Sequence, residues 1–228
     1  MANLLHHPLC AFSRSIRLAF AECRVEYELN EERPWEWRPE FLALNPAGTL
    51  PVFIPDDGVP IAGAYAISEW LSDTMDERAA TAFQPFPGNA AARAETRRLV
   101  EWFHQKFYEE VTDYLVVEKV FRRFGPQSSS PDMAAMRAGH DNLRYHMTYI
   151  GHLTETRSWL AGDAMSFADL AAAAHLSALD YLGEVPWEEF EPAKNWYALV
   201  KSRPSFRPLL QDRIAGFVPA GTYADLDF

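Results

Sequence analysis

The run Asn45-Pro46-Ala47-Gly48-Thr49-Leu50-Pro51-Val52-Phe53-Ile54 restricts the folds open to this chain more than any other stretch. A turn-forming Asn-Pro-Ala-Gly cluster leads directly into an apolar, β-branched run, the pattern of a loop entering a buried strand. Pro51 stands where that strand should begin. Lacking an N–H, a proline is confined to a strand's first residue, an edge or a bulge, and X-Pro bonds are the main place where a cis peptide is tolerated. A cis Leu50-Pro51 bond would turn the Leu50 backbone outward, with its amide and carbonyl able to pair with an extended peptide alongside. The alternative is a structural turn with no ligand.

The flanking residues place this loop in a strand–helix–strand pattern. Residues 2–6 read as a first strand and Pro8-Leu9-Cys10-Ala11 as the turn after it. A helix is predicted over 12–23, with Phe12, Ile16, Ala19 and Phe20 on one face and Arg14, Arg17 and Glu22 on the other. Arg24-Val25-Glu26-Tyr27-Glu28-Leu29 alternates as a second strand, and so long a connection between strands indicates a βαβ unit. Past Pro51, Val59-Pro60-Ile61 makes another short strand, and 66–74 a helix with Ile67, Trp70 and Leu71 inward.

Residues 77–90 contain Gly, two prolines and little periodicity, and read as a linker. Beyond them the pattern is helical. Leu99, Trp102, Phe103, Phe107, Val111, Tyr114 and Leu115 form one stripe running on to Phe124, broken by Gly125-Pro126-Gln127-Ser128-Ser129-Ser130-Pro131. Met133, Met136, His140, Leu143, Met147, Ile150 and Leu153 form a second. Both stripes read as core. Ser166, with Asp169 three residues on, opens a further helix as a capping box, in which each side chain satisfies an orphan backbone donor. The chain therefore divides into an α/β unit (1–76), a linker (77–90), an all-helical unit (91–210) and a tail (211–228).

Composition limits the function. With 48% hydrophobic residues the chain can build a substantial core. Asp and Glu outnumber Lys and Arg 32 to 21, for a net charge of −11, which disfavours nucleic-acid or anionic-membrane partners. The two cysteines, Cys10 and Cys23, form no CxxC metal pair and fit a reducing cytoplasm; no metal site is expected. No signal peptide opens the chain, and no apolar run is long enough to insert in a membrane.

The pattern Asn-Pro-x-Gly-x-Leu-Pro-Val, its preceding strand–helix unit and the Asp56-Asp57-Gly58 that follows resemble the thioredoxin-like domain of the glutathione S-transferase superfamily. Trp159-Leu160-Ala161-Gly162-Asp163 before the capping box, Asn195-Trp196-Tyr197 and Arg203-Pro204-Ser205-Phe206 resemble its helical domain. The resemblance covers nearly the whole chain. It implies the cytosolic glutathione S-transferase fold: an α/β thioredoxin-like N-terminal domain followed by an all-α C-terminal domain. It also implies that Leu50 and Pro51 form the loop that meets the cysteinyl backbone of glutathione, that Ser166 and Asp169 serve folding, and that the chain is a homodimer.

The resemblance is weaker for catalysis. Cys10 falls where cysteine-type members carry a catalytic thiol, at a helix start that favours a thiolate. Ala11 replaces the usual proline there, and Ser13 stands in place of a resolving cysteine or as a hydroxyl donor. Cys10 as a passive apolar residue is the competing reading. Where members carry Glu-Ser or Gln-Ser for the γ-glutamyl end of glutathione, this chain has Gly63 and Ala64. Each lost charge-assisted hydrogen bond costs roughly 1.5–3 kcal/mol, so two losses weaken binding by a hundredfold or more. No cofactor is expected, glutathione belonging only to the transferase alternative.

The tail ends Asp225-Leu226-Asp227-Phe228, alternating acidic and apolar residues, and either packs back or offers anchors to a partner. Trp35 and Trp37, in a polar loop, are a second pair of candidate anchors. A preserved fold, a stripped glutathione pocket and such a tail resemble the members of the superfamily that act in bacterial division. By that likeness the partner is the tubulin-like polymer FtsZ, Leu226, Asp227 and Phe228 contact it, and the protein is cytoplasmic and recruited to the division site. The alternatives are a cysteine-type glutathione or thiol transferase, and a small-molecule binder using aromatics around Phe107 and Tyr114.

Overall fold

The computed structural model describes residues 1–75, 83–123 and 130–226. Four strands form one sheet in the order β2-β1-β3-β4. β1 (Asn3–His6) runs parallel to β2 (Glu28–Glu31) and antiparallel to β3 (Val52–Ile54), which pairs with β4 (Ile61–Ala62). Side chains alternate across the sheet. Leu4 and its register partner Phe53 face the main core with Ile16 and Phe20 of α1 (Ala11–Glu22), whereas Leu5 and Val52 meet Phe41 of α2 (Pro39–Leu44) on the other face.

Two strands start later than the sequence pattern indicates. Val25 donates its N–H to the Phe20 carbonyl and Arg24 takes a left-handed φ of 54°, so 24–27 wrap under the end of α1 before β2 begins. All four β2 side chains are exposed, and an edge strand's alternation reports no core. Pro60, with no N–H to give, stays outside β4.

α3 (Ala64–Met75) closes the first unit. Of the linker expected at 77–90, residues 76–82 lie outside the described residues; Phe83 and Phe86 are buried, and the Pro85 carbonyl accepts the Phe167 N–H. That part of the connection is core.

α4 (Ala90–Glu101), capped by the Asn89 side chain, continues without a break into a wider, i→i+5 winding over Trp102–Val117. Leu99, Phe103, Phe107, Val111 and Leu115 are all wholly buried at a strict four-residue repeat. A period longer than the 3.6 of an α-helix stays on one face when the backbone widens. The stripe continues through the buried Val116 and Val120; Phe124 and the break through Ser129 lie outside the described residues.

α5 (Met133–Thr156) buries Leu143, Met147, Ile150 and Leu153. The expected core stripe begins too early: Met133 is 59% exposed, and His140 pairs with Glu184 at 2.6 Å. Met136 packs half-buried against the core, and at Gly139 the helix approaches closely, where a Cβ would lie 2.9 Å from that of Tyr114.

α6 (Phe167–Tyr181) is buried along its full length and forms the axis of the helical unit. The Ser166 hydroxyl accepts the Ala168 N–H, and Asp169 accepts the Ser166 N–H at 2.9 Å. Asp169 also takes the Leu160 N–H and the Trp196 indole, fastening the preceding turn and α7 (Glu191–Lys201) to the cap. Among the described residues no helix is long and apolar enough to cross a membrane.

The polar face of α1 does not meet water. Arg14 is wholly buried and Arg17 nearly so, both against the helical unit. Arg14 Nε donates to the Pro8 carbonyl at 2.5 Å, and Nη1 to Ser177 Oγ at 2.8 Å and Tyr223 Oη at 3.1 Å. Arg17 forms a bidentate pair with Asp212 at 2.7 and 2.9 Å. After α8 (Arg207–Leu210) the tail returns along α6: Ala220 donates to the Tyr181 carbonyl, the Thr222 carbonyl accepts from Lys201, and the Tyr223 hydroxyl donates to the Leu209 carbonyl. Tyr223→Phe, which deprives Arg14 of an acceptor and Leu209 of a donor, should lower unfolding free energy by about 1–3 kcal/mol in urea titration. An unchanged midpoint would remove the hydroxyl from this account.

Candidate functional site

The β1–α1 turn, the Pro51 loop and the start of α3 form one wall of a cleft of about 670 Å³. The opposite wall comes from the wide helix, through His104, Tyr108, Thr112 and Val117, and ends at Phe121. Among the described residues, none that lines the cleft is Asp, Glu, Lys or Arg. Burial lowers the His7 pKa to about 4 and the His104 pKa to about 3, so both rings are neutral at pH 7.

Cys10 and Leu50 meet at the floor, whereas Pro51 is buried and is not among the lining residues. Cys10 precedes the first turn of α1, and its thiol donates to the Leu50 carbonyl at 3.8 Å, beside the cis Leu50-Pro51 bond. The helix start does favour a thiolate, through the Ser13 hydroxyl, the Ser13 and Phe12 amides and the Arg14 charge, but burial is the larger influence and pushes the thiol up. That direction is opposite to an activated cysteine's. Ser13 is wholly buried and is not among the residues lining the cleft.

Gly63 and Ala64 form the cleft wall where the resemblance expects the γ-glutamyl contacts. Gly63 donates to the Pro51 carbonyl at 2.9 Å and has φ 90°, a left-handed conformation that glycine adopts freely. A Cβ there would meet open space, so the backbone angle, not crowding, favours glycine.

Trp35 and Trp37 face this cleft too. Glu32, nearly buried, accepts the Arg33 N–H and both arms of Arg38, which shapes the intervening loop. The Trp35 ring lies 5.3 Å from His7 and 5.7 Å from Phe121, bridging the two units. Trp37 is 59% exposed, with its ring against Gly48. Phe107 lies in the core and Tyr114 turns toward Gly139, so the aromatics expected to form a groove there are not its lining; Tyr108 is.

A polar relay behind the cleft escaped the sequence reading. Ser15 donates to the Phe12 carbonyl, so its oxygen accepts from His104 Nε2 at 3.3 Å. His104 Nδ1 then accepts from His175 Nε2 at 3.2 Å, and His175 Nδ1 accepts the Thr112 hydroxyl at 2.8 Å. The bond directions fix both imidazoles as neutral Nε2–H tautomers. His104, Tyr108 and Thr112 repeat every four residues, one step out of phase with the core stripe, and that spacing was a readable signal.

At the tail, Leu226 is 46% exposed, three residues past the buried Tyr223. Asp227 and Phe228 lie outside the described residues. The tail is therefore packed through Tyr223 and open at Leu226.

The histidines give the fold a pH dependence. His6, with a pKa of about 3, joins His7 and His104 in being buried neutral, whereas all three titrate near 6.5 when unfolded. The unfolded state then binds more protons between those values. Stability should be full above about pH 6.5 and fall below it, by about 1.4 kcal/mol per pH unit for each ring. Urea midpoints at pH 7.5, 6 and 5 should drop before carboxylates titrate; a flat profile to pH 5 would mean that the fold accommodates charged imidazoles.

Comparison with known proteins agrees with this geometry. Residues 9–74 match the family described as Glutathione S-transferase, N-terminal domain, and residues 112–204 that described as Glutathione S-transferase, C-terminal domain. The chain is 46% identical over 229 residues to FtsZ-localized protein A of Caulobacter vibrioides, covering 99% of this chain and 98% of that protein. The solved structure of FzlA from C. crescentus matches with a TM-score of 0.93 at 45% identity, covering 100% of this chain and 99% of that one. A glutathione S-transferase from Rhodospirillum rubrum matches at 0.94 and 47%, with both chains covered in full. On its two domains and on these relatives, the chain belongs to the glutathione S-transferase superfamily.

Proposed function

We propose that this chain is a non-catalytic member of the superfamily that binds FtsZ filaments and regulates constriction in bacterial division. What supports the reading is a cleft that, among the described residues, is lined by no charged side chain and has Gly63 and Ala64 where the family resemblance expects the γ-glutamyl contacts. The direction of the proposal, toward FtsZ, comes from the relative named for FtsZ localisation. Leu226, Asp227 and Phe228 contact the polymer, with Trp35 and Trp37 at the cleft mouth as further anchors. The protein acts as a cytoplasmic homodimer at the division site, and two tails per particle link or curve filaments through bivalency.

Co-sedimentation with GTP-polymerised FtsZ tests this. The full chain should pellet with polymer, and Leu226→Asp or Asp227→Lys should weaken binding at least tenfold with an unchanged urea midpoint. Retained binding in both variants would move the interface away from the tail.

A thiol-transferase reading is favoured by one observation, the Cys10 thiol beside the Leu50 carbonyl. Calorimetry with millimolar reduced glutathione separates the two readings. No saturable heat is expected; sub-millimolar saturation, lost in Cys10→Ala, would put the transferase reading first.

A further inference from the structure

Among the described residues β2 pairs with β1 alone, and its four side chains are all exposed. The Ala2 carbonyl accepts the Glu28 N–H and the His6 carbonyl the Glu32 N–H, so the even-numbered residues of β2 make the pairing. In a parallel ladder the intervening residues turn both backbone groups away from that neighbour. Leu29 and Glu31 therefore present their N–H and C=O groups outward, a ready template for another strand. By register Leu29 and Glu31 share the α1 face of the sheet with Leu4 and His6. Glu28 and Asn30 lie on the other face, where Asn30 donates to Asn3. The far edge of the sheet offers less, since β4 has two residues set between Pro60 and Gly63.

Charge decides what can pair there. Glu26, Glu28 and Glu31 are exposed, and Glu26 and Glu28 have no ion-pair partner among the described residues. Glu31 has Arg33 at 3.5 Å, shared with Glu36 at 3.4 Å, in exposed contacts that water and salt weaken. A second copy of this edge would set glutamates against glutamates, and like charges across a ladder are destabilising. A strand with lysine or arginine opposite Glu28 and Glu31 meets the reverse condition. An apolar residue between them would cover Leu29, which is 42% exposed. Antiparallel pairing exchanges both bonds between opposite residues and is the more stable arrangement per residue. We propose that the outer edge of β2 docks an extended, basic peptide segment of a partner protein as a fifth, antiparallel strand. Main-chain bonds to Leu29 and Glu31 hold the segment, and Glu28 and Glu31 select its charge. No β2 residue lines the cleft or belongs to the tail, and the assignment does not rest on FtsZ binding.

Fluorescence anisotropy on the full chain tests the assignment with a labelled, end-capped peptide carrying Lys-Thr-Val-Lys. Its valine falls opposite Leu29 and its lysines opposite Glu31 and Glu28. The controls are the same peptide with both lysines replaced by glutamate, and the lysine peptide with an N-methylated valine. The lysine peptide should bind saturably and at least tenfold more tightly than either control, because one reverses the charge and the other removes a main-chain donor. Leu29→Pro removes an outward N–H at an edge position, where proline is tolerated, and should weaken binding at least tenfold with an unchanged urea midpoint. Glu28→Lys combined with Glu31→Lys, at two exposed positions, should invert the preference between lysine and glutamate peptides. That pair supplies the test if Leu29→Pro does not fold. No saturable binding, equal binding of either control, or a folded Leu29→Pro variant that binds unchanged overturns the proposal. A lower oligomeric state of the free Leu29→Pro protein would assign the edge to a second copy and overturn it as well. None of these readouts involves FtsZ, so this proposal and the adaptor reading fail separately.

Discussion

The structure depends on the burial of Arg14. An unpaired guanidinium away from water costs several kcal/mol, and removing one partner of a buried charge typically costs 3–5 kcal/mol. The fold meets that demand by converging on it from three directions: the turn at Pro8, the axial helix at Ser177 and the tail at Tyr223. Both hydroxyl acceptors are themselves oriented, Ser177 by the Ala174 carbonyl and Tyr223 by the Leu209 carbonyl. Asp212 adds a carboxylate at 3.6 Å while its main bonds hold Arg17. The cleft floor, the core and the tail are therefore parts of one electrostatic unit.

The cleft lies on the other side of that unit and shows the opposite economy. Cations and carboxylates near α1 are committed to joining the two domains, and among the described residues the cleft is left with aromatic, aliphatic and neutral polar groups. The His104–His175 pair holds this condition in place, because each ring nitrogen already has a donor or acceptor role.

What could be read from sequence was local. Pro51 at a strand start and Ser166 with Asp169 express short-range backbone rules, and both occupy the turn and cap that those rules describe. Arg14 and Arg17 were placed with the polar face of a helix because periodicity distinguishes apolar from charged, not solvent from a buried ion pair. The partners that change their meaning lie in α6, at Asp212 and at Tyr223, far along the chain. Trp35 and Trp37 were recognised as unusual, but their facing the cleft depends on the Glu32–Arg38 pair and on Phe121. The wide helix was visible only as a four-residue repeat, which reads as an ordinary amphipathic pattern until the winding is known.

The distance between Arg14 and Tyr223 has a consequence for biosynthesis. The two residues are 209 positions apart, so the guanidinium leaves the ribosome long before the phenol that receives it. Domains generally fold from the N-terminus during synthesis. Here the thioredoxin-like half must carry a cation that only later-made chain can pair, and its docking against the helices waits on translation. A ribosome that stalls before Tyr223 would hold a nascent chain with nearly all of its core and an unfinished interface.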